Sequence, residues 1–404
     1  MQRLEIAIAG CGPAGLAAAL LLHRDGHRVT LFDRFEAPRP VGSGLMIQPT
    51  GLAVLGQLGL AEALLDHGAR IARLHGEAGS SGRVVLAVRY AALGKRAGFG
   101  VGVHRATLFA LLHGAVTGER IAIETGCAVT GSALLGNGRR RLLLDGGRSE
   151  GPFDLVVDAL GTRTPLAPPC GRALAYGALW GTLDWPADGG FDPAALEQRY
   201  RRASVMVGVL PIGRPPGEER AQAAFFWSLR ADRLEAWKAA GLAAWKAEVR
   251  TLWPATEPLL DQIESPDQLT FARYAHRTLP QPAEPGLIHL GDAWHSASPQ
   301  LGQGANMALL DAYALALALR KAADVPAALA GTIARRRGHV RLYQALTALF
   351  TPVYQSDSRA LPFLRDRLVG PLSKLWPATL IQAAMVSGTI GHPLRRLGLE
   401  PLGD

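Results

Sequence analysis

Hydrophobic residues near the start of the chain predict a strand, a turn and a helix. Leu4 to Ala9 alternates into a buried strand, and Leu16 to Leu22 continues as an apolar helix. The glycine-rich segment GCGPAG, Gly10 to Gly15, fills the turn between them. Val29 to Phe32 is another apolar run and predicts a second strand. We therefore expect a β-α-β unit at the N terminus.

The glycine spacing in this turn is typical of a dinucleotide site. Gly10 permits the tight turn, Gly12 lets the backbone approach a pyrophosphate, and Gly15 lets the helix pack on the strand. Asp33 follows the second strand, 18 positions after Gly15, where its carboxylate can accept hydrogen bonds from a ribose diol. Structural strand-turn-helix units also match a single GxGxxG segment, so the motif is weak on its own.

A second motif lies near residue 300, where Gly291 to Ala312 reads GDAWHSASPQLGQGANMALLDA. A short apolar run, Leu287 to Leu290, precedes it, and an apolar helix begins near Gly304. This arrangement directs backbone N–H groups and the positive end of a helix to one point, which suits an anionic or electron-rich ring. Together the two motifs predict a flavin-binding protein.

Between the motifs, alternating segments predict a sheet with one face on a core or a cleft. They span Ala173 to Leu183, Ser204 to Leu210 and Ala223 to Leu229, and a helical insert from Asp232 to Ile263 follows them.

After residue 320 the pattern becomes helical. Pro326 to Leu349 predicts a long Arg-rich helix, and Ser358 to Val386 predicts further short helices. Three prolines are expected to break these short helices: Pro362, Pro371 and Pro377. The helices are expected to pack over the rest of the molecule. Their mixture of Arg with Leu, Phe and Trp leaves peripheral contact with a membrane surface as the alternative.

Composition limits the class of protein. The chain has 404 residues, 48% of them hydrophobic, and is long enough for two or three lobes. Its net charge is +9, but most of the positive charge is Arg spread along the chain. No nucleic-acid-binding module accompanies this charge, so we expect no nucleic-acid partner. No run of about 18 apolar residues predicts a transmembrane helix.

Cysteine usage indicates the cytoplasm. Cys11, Cys127 and Cys170 are odd in number and lack CxxC spacing, so we expect neither a disulfide framework nor a metal site. Cys11 lies in the phosphate loop, where the geometry requires only a small side chain, and a redox role is the alternative. The first 22 residues fit a nucleotide-binding unit better than a signal peptide, because Glu5 and regularly placed glycines interrupt them.

The motifs carry a family resemblance that covers roughly Leu4 to Arg320. The chain resembles the class A flavoprotein monooxygenases, the fold family of para-hydroxybenzoate hydroxylase. The matching segments are GCGPAG, the DR pair at Asp33 and Arg34, HRATL at His104 to Leu108, and GDAWH followed by PQLGQGANMALLDA. The resemblance implies an α/β fold in which a Rossmann-like FAD-binding domain is interleaved with an antiparallel-sheet substrate domain and followed by a C-terminal helical region.

The implied domains follow from the motif positions. Residues 1–171 and 282–325 form the FAD-binding domain, with a sheet excursion near 70–100. Residues 172–281 form the substrate domain, and residues 326–404 form the helical region.

The resemblance also implies FAD as cofactor and NADPH or NADH as a transient reductant. Gly291 and Asp292 then bind the ribityl and pyrophosphate region, and Pro299 to Asn306 line the isoalloxazine ring, with N–H groups of Gly302 to Ala305 near its N1 and O2 positions. Arg105 begins a helix and is expected to reach ribose or pyrophosphate. The full set of expected cofactor-binding residues is Gly10, Gly12, Pro13, Ala14, Gly15, Asp33, Arg34, Arg39, Gly44, Arg105, Gly161, Asp292, Pro299, Gly302, Gln303, Gly304, Ala305 and Asn306.

One motif departs from the family pattern. The middle fingerprint is normally an Asp-Gly pair after an apolar strand, whereas this chain places Leu160 where the Asp stands. Gly161 and Arg163 remain in register, and Asp158 lies two positions earlier. Nicotinamide docking is therefore the part of the resemblance that this change affects most.

The implied activity is oxygen transfer from a flavin C4a-hydroperoxide to an apolar, aromatic or polyketide-like small molecule, by hydroxylation or epoxidation. Such chemistry requires a dry cleft with few polar groups. Candidate catalytic residues are Pro299 and His295, and His295 is either a proton donor or an anchor of its loop. Candidate cleft residues, each of which is otherwise ordinary core, are Trp180, Met206, Phe226, Trp227 and Tyr274.

Two other functions remain open at this point. A flavin-dependent halogenase or oxidase on the same fold is one alternative, faintly indicated by WGTLDWP at Trp180 to Pro186. A non-catalytic flavin-binding sensor is the other, indicated by the altered middle motif.

Overall fold

A computed structural model describes residues 2–37, 42–96, 98–186, 188–369 and 375–402. Twenty strands lie in these ranges: β1 Glu5–Ala9, β2 Arg28–Phe32, β3 Gly44–Ile47, β4 Ala69–Ile71, β5 Arg73–Ala78, β6 Arg83–Arg89, β7 Gly100–His104, β8 Ala122–Glu124, β9 Val129–Leu134, β10 Arg140–Leu144, β11 Ser149–Phe153, β12 Leu155–Asp158, β13 Arg172–Asp184, β14 Ala195–Arg201, β15 Val205–Pro211, β16 Gln222–Arg230, β17 Thr270–Thr278, β18 Ala283–Glu284, β19 Leu287–His289 and β20 His295–Ser296. Eleven α-helices lie in the same ranges: α1 Pro13–Arg24, α2 Pro49–Gln57, α3 Ala61–His67, α4 Arg105–Gly118, α5 Leu234–Leu252, α6 Glu257–Leu260, α7 Gly304–Lys321, α8 Val325–Tyr354, α9 Ala360–Leu364, α10 Ala378–Val386 and α11 Pro393–Leu397.

The first sheet has six strands in the order β18-β19-β12-β1-β2-β8. All of its pairs are parallel except β18 with β19. Ile6 and Ile8 on one face pack into a cluster with α1 and α7, and Ala7 and Ala9 on the other face pack against the small sheet of β9 to β11. Both faces are buried, which is why these strands are nearly continuous apolar runs.

The second sheet has eight strands in the order β20-β17-β13-β16-β15-β14-β5-β6. Neighbouring strands are antiparallel except β14 and β5, which are parallel. The strands at residues 73–89 form the far edge of this sheet. The expected excursion near 70–100 therefore belongs to the second sheet and not to the first. The expected fold class, a Rossmann-like unit interleaved with an antiparallel sheet and followed by helices, is confirmed. The residue boundaries of the three domains stay a prediction.

Helix α5 covers one face of the second sheet. Its buried Trp245 meets Phe225 and Trp227 edge to face, with ring centroids 6.0 and 6.2 Å apart. The expected helical insert is interrupted at Gly241, whose φ of +82° lies outside the helical region.

The C-terminal helices pack on the rest of the fold. Helix α8 packs along α7, and α10 contributes Ala383 and Val386 to an apolar cluster with Met46. The expectation that Pro362 breaks a helix is wrong, because it lies in the first turn of α9, where the N–H that proline lacks needs no partner. Pro377 precedes α10, and Pro371 lies outside the described residues. None of the helices in the described ranges is both long and apolar enough to cross a membrane.

Candidate active site

The first loop, Gly10 to Gly12, joins β1 to α1 and is shaped by crowded glycines. A Cβ on Gly10 would lie 2.6 Å from the carbonyl oxygen of Ala159, and one on Gly15 would lie 1.9 Å from the carbonyl oxygen of Gly10. Gly10 also has a φ of +103°, in the left-handed region. Gly12 differs, because the atom nearest to its Cβ position is the Ala159 oxygen at 4.0 Å. The loop is therefore open to a ligand at Gly12.

Helix α1 points its N terminus at this opening. Gly12 is the N-cap residue, no side chain caps the helix, and Pro13 and Ala14 begin the first turn. The free N–H groups of the first turn and the helix dipole together favour an anion such as a diphosphate.

Asp33 lies directly after β2, beside the first loop. Its Oδ2 accepts a hydrogen bond of 2.7 Å from the backbone N–H of Cys11, while Oδ1 has only a 3.4 Å contact with the Phe35 N–H. One carboxylate oxygen thus fixes the loop and the other remains available to a diol. Arg34 follows with an exposed side chain, and Arg39 lies outside the described residues.

Cys11 is a buried thiol within this loop. Burial, and secondarily the Asp33 carboxylate, raises the pKa of the thiol well above its usual range. The thiol is therefore protonated near neutral pH, and its surroundings do not favour the redox alternative.

Arg105 is exposed at the first residue of α4. His104 caps this helix by accepting the Ala106 N–H at Nδ1, over 3.1 Å. The Arg105 side chain lies against Gly42, since a Cβ on Gly42 would come within 2.8 Å of Arg105 Cδ. Burial raises the pKa of Asp292, and the positive charge of Arg105 partly opposes that rise, so the guanidinium lies on the same side of the molecule as the second motif.

The second loop, Leu290 to Gln303, joins β19 to α7 and meets the first motif at Gly291. A Cβ on Gly291 would lie 3.1 Å from the Cβ of Ala308 and 3.4 Å from that of Ala14, so this loop touches both α7 and α1. The side chain of Asp292, the next residue, is exposed. The surrounding protein desolvates its carboxylate and raises its pKa, while the charges of His295 and Arg105 act in the opposite direction.

The end of the second loop exposes the start of α7. Gly302 has a φ of +60°, Pro299 and Gly304 are exposed, and no side chain caps the helix at Gln303. No atom lies within 4 Å of the Cβ position of Gly304. The N–H groups of the first turn, including that of Ala305, are therefore free to act on a ligand.

Two residues of this segment turn their side chains inward. Asn306 accepts the Gln48 N–H at Oδ1 over 2.8 Å and donates through Nδ2 to the carbonyls of Met46 and Gly302. Gln303 donates through Nε2 to the Val386 carbonyl over 2.6 Å. These side chains fix the loop, so their contribution to the expected ring-binding segment comes from their backbone atoms, and that role stays a prediction. Sequence reasoning missed three of their partners, Met46, Gln48 and Val386, because those lie 83 to 260 positions away.

Comparisons with known proteins agree with this geometry. A family model described as an FAD binding domain matches residues 3–108 and 208–330. The chain belongs to the class A FAD-dependent monooxygenases. The aurachin C monooxygenase/isomerase of Stigmatella aurantiaca is 26% identical over 389 residues, covering 92% of this chain and 94% of that protein. The 6-hydroxynicotinate 3-monooxygenase of Pseudomonas fluorescens is 25% identical and covers 79% of this chain and 83% of that protein.

Solved structures share the fold of this monooxygenase. The Klebsiella pneumoniae HpxO complex with FAD and uric acid superposes with a TM-score of 0.80 at 19% identity, covering 96% of this chain and 98% of that one. The tetrameric 2-methyl-3-hydroxypyridine-5-carboxylic acid oxygenase has a TM-score of 0.79 at 20% identity, covering 98% of both chains. The expected enzyme class and its FAD cofactor are thereby confirmed.

The residues of the monooxygenase fit FAD. Open space lies at the Cβ positions of Gly304 and Gly161, where no atom comes within 4 Å, and at Gly12. Gly12 lies beside Ala159, and Gly291 lies beside Ala14 and Ala308, so the first loop, the middle motif and the second loop meet, whereas Gly10 and Gly15 are closed by packing. Gly44 also has a packing role, since its Cβ position lies 2.3 Å from the Cβ of Ala224 in the second sheet.

In the middle motif of the monooxygenase, the buried carboxylate of Asp158 is the centre of the hydrogen bonds. Asp158 is fully buried and accepts hydrogen bonds from the Leu160 N–H at 3.0 Å, Thr164 Oγ1 at 2.7 Å and His289 Nδ1 at 2.6 Å. Its oxygens are thus used within the protein and do not substitute for the family carboxylate at Leu160. Arg277, which the sequence did not reveal, links this motif to the second loop by donating to the carbonyls of Thr162 and Ala293.

His295 occupies a buried position behind the second loop. Its Nε2 lies 2.6 Å from Asp311 Oδ2, and its side chain is almost fully buried. Of the two roles considered for His295, these contacts match the anchor of the loop and not a proton donor in the open cleft.

The expected cleft residues divide between the two faces of the second sheet. Trp180 and Phe226 are paired, with ring centroids 4.7 Å apart, and Tyr274 accepts the Trp180 Nε1–H over 2.9 Å. Met206 packs with Phe226 on this face. Trp227 corrects the prediction: successive strand residues alternate, so it faces α5 on the opposite side.

Proposed function

We propose that this monooxygenase uses NADH or NADPH and molecular oxygen to hydroxylate or epoxidise an apolar, aromatic or polyketide-like small molecule. The observation that carries the proposal is the aromatic face of the second sheet, formed by Trp180, Phe226 and Tyr274, beside the second loop. Met46 contacts both the aromatic face and the second loop. Its Cβ lies 3.8 Å from the Cβ position of Gly302, and its side chain shares an apolar cluster with Trp180.

The similar proteins support a ring-bearing substrate. Two of them are named for oxygenation of pyridine rings and one for aurachin C. The aromatic and thioether side chains on the sheet face favour an apolar ring over a charged one, since such a surface offers few polar partners.

We propose that each cofactor-binding motif holds a different part of FAD. The first loop and α1 hold the diphosphate, Asp33 the adenosine ribose, and Asp292 the ribityl chain, with Arg105 close to the phosphates. The start of α7 directs its N–H groups at the pyrimidine edge of the ring.

When bound, FAD supplies the redox chemistry, accepting a hydride from the nicotinamide and activating oxygen. The chain supplies binding, orientation and exclusion of water. The free N–H groups and dipole at the start of α7 stabilise negative charge on the reduced ring. Pro299, exposed in the second loop, shapes the place where ring and substrate meet, and the aromatic sheet face keeps that place dry.

Isotope labelling tests this function. FAD-loaded enzyme is incubated under ¹⁸O₂ with NADH or NADPH and a panel of aromatic and polyketide ring compounds. Charged analogues of these compounds are the matched controls. We expect an apolar compound to accelerate nicotinamide oxidation and to gain one labelled oxygen atom. Flavin turnover without label in any product contradicts the proposal, and chloride-dependent product formation indicates a halogenase instead.

We also propose that the C-terminal helices contact a membrane surface. Seven of the nine exposed large hydrophobic residues within the described ranges lie in this region: Leu349, Phe363, Leu364, Leu375, Trp376, Leu380 and Ile381. Trp376 is 81% exposed, and the Arg367 guanidinium lies 5.4 Å from the ring of Phe363. Exposed Trp and Leu next to Arg are typical of segments that lie in an anionic lipid interface.

Vesicle sedimentation tests this contact. We expect the enzyme to pellet with phosphatidylserine-containing vesicles more than with phosphatidylcholine vesicles, and the Trp376→Ser/Ile381→Ser variant to lose this binding. Leu143→Ser, at an exposed leucine on β10, is the matched control and should keep it. Equal sedimentation of all three proteins contradicts the proposal.

We propose the cytoplasm as the compartment. The support is the requirement for NADH or NADPH and the three cysteines, all of which are free. Fractionation of the producing cells tests it, and recovery of the enzyme outside the cytoplasm and its membrane face contradicts it.

A further inference from the structure

A buried charged network lies behind the second loop. Its members are Asp311 on α7, His295 on β20, and Arg336 and His339 on α8, all fully or almost fully buried. These side chains bond to one another and to backbone atoms, so FAD binding as described above does not use them directly.

Asp311 holds the second loop on α7. Its Oδ2 accepts hydrogen bonds from the Gly291 N–H at 3.0 Å and from His295 Nε2 at 2.6 Å. Gly291 directly precedes Asp292, and His295 follows it by three positions. The Asp311 carboxylate therefore fixes both ends of the segment that carries Asp292.

Arg336 keeps this carboxylate in place from α8. Its Nε donates to Asp311 Oδ1 over 2.7 Å, and its Nη1 donates to His339 Nδ1 over 2.9 Å. Because a guanidinium only donates and a carbonyl only accepts, His339 must carry its proton on Nε2, which donates to the Gly388 carbonyl at 3.1 Å. The network thus runs from the second loop to the C-terminal turn after α10.

The charges in the network balance around Asp311. Burial acts to raise the pKa of Asp311, but the charges of His295 and Arg336 outweigh burial and lower this pKa to about 2. Burial and the Arg336 charge lower the pKa of His339 to about 3. Other charged groups near the segment are Asp292 and Arg105 on its open side and Arg277, whose Nε donates to the Ala293 carbonyl over 3.0 Å. Arg336 is therefore a fixed cation facing the carboxylate that holds the loop.

We propose that Arg336 is a positioning residue for FAD: by holding Asp311 as a charged acceptor, it fixes the loop that presents Asp292 to the cofactor. The inference rests on FAD binding and not on the proposed substrate. An alternative role, in which Arg336 only joins α8 to α7, predicts a loss of stability but no dependence of FAD affinity on the protonation of Asp311.

The pH dependence of FAD affinity separates these roles. Without the guanidinium, His295 alone of these two groups opposes the burial of Asp311, so the pKa of Asp311 rises. Protonation then removes the acceptor that holds Gly291 and His295. FAD affinity should fall by up to about tenfold for each pH unit below that pKa.

The experiment measures the FAD dissociation constant from pH 4 to 8 by flavin fluorescence, without substrate or nicotinamide. We expect Arg336→Gln to bind FAD nearly as wild type at pH 8 and progressively more weakly towards pH 4, by up to about tenfold for each pH unit below the raised pKa of Asp311. Arg336→Lys keeps the positive charge, so its FAD affinity should fall only at a lower pH than in Arg336→Gln, closer to the wild-type profile. Arg337→Gln, an exposed neighbour on the same helix, is the matched control and should not change the profile.

Asp311→Asn assigns the fall in FAD affinity at acid pH to this carboxylate. Combined with Arg336→Gln, it should give weak FAD binding at every pH, without the fall in FAD affinity at acid pH. If the fall at acid pH persists, it belongs to His295 or His339, and the proposal is overturned. A pH-independent loss in Arg336→Gln, or no loss, also overturns it. Should that variant not fold, Arg336→Lys alone decides: a fall in FAD affinity that begins at a higher pH than in wild type supports the proposal, and a wild-type profile overturns it.

Discussion

At the scale of single residues, the glycines of the first motif serve two different purposes. Gly10 and Gly15 are required because a Cβ would collide with backbone at 2.6 and 1.9 Å. Gly12 has no such neighbour and a φ of −73°, which other residues adopt freely. The folded protein alone does not require glycine there, so a side chain at this position tests the approach of the ligand without disturbing the fold.

Substitution of these glycines separates folding from binding. Gly12→Val should fold normally but lose at least about tenfold in FAD affinity, roughly 1.4 kcal/mol, because its side chain fills the space for the diphosphate. Gly15→Ala should reduce stability, since its methyl group meets the Gly10 carbonyl. Thermal unfolding of the apoproteins and FAD titration measure the two effects. Unchanged flavin content in Gly12→Val contradicts the assignment of the first loop.

Asp292 is the residue on which the second motif depends. Asp292→Ala should weaken FAD binding by about 1 to 3 kcal/mol for each ribityl hydroxyl left without its partner. Asp292→Asn keeps one acceptor oxygen and should lose less. Equilibrium dialysis against FAD measures the difference. Full flavin occupancy in the alanine variant shows that the carboxylate does not contact the cofactor.

At the scale of elements, period-two alternation predicted strands but not the use of their faces. The run at Ala223 to Leu229 was expected to be a strand, and β16 contains it. Alternation also requires Phe226 and Trp227 to point in opposite directions. The sequence does not show which face meets α5, because that depends on contacts between segments far apart in the chain. Alternation alone therefore leaves Trp227 as either a cleft residue or core, and in the folded protein it is core.

Two tryptophans on neighbouring strands test this division. Trp227→Ala should destabilise the protein by about 3 to 5 kcal/mol, as expected for a large cavity under α5. Trp180→Ala, on the opposite and partly open face, should cost less stability and raise KM for the substrate. Urea denaturation and steady-state kinetics measure the pair. If Trp227→Ala changes KM while Trp180→Ala does not, the faces are wrongly assigned.

At the scale of the whole molecule, the sequence predicted the fold class but not how its layers are connected. The two motifs and their spacing were sufficient for a Rossmann-like unit, because each is a local pattern with a known geometry. Residues 73–89 reach the far edge of the second sheet, and Gln303 reaches Val386, through contacts that no local pattern encodes. Buried charged partners such as Asp311 and Arg336 were missed for the same reason, since Arg on a helix is usually exposed.

The layer formed by α8 and the C-terminal turn makes the stability of the molecule sensitive to acid. His339 is neutral in the folded state with a pKa lowered to about 3, whereas in the unfolded chain it takes up a proton near pH 6.5. A lowered histidine pKa contributes stability that is fully present above pH 6.5 and is lost as the pH falls towards 3. The slope in this window is up to about 1.4 kcal/mol per pH unit.

Replacing His339 with Gln removes this sensitivity while keeping the contacts. The amide oxygen can accept from Arg336 and the amide nitrogen can donate to the Gly388 carbonyl, so His339→Gln should be close to wild type at pH 7. At pH 5 the wild type should have lost up to about 2 kcal/mol more unfolding free energy than the variant. Urea denaturation of the FAD-saturated proteins at both pH values measures this difference. Parallel losses in the two proteins would show that His339 titrates normally in the folded state and that its buried neutral tautomer is misassigned.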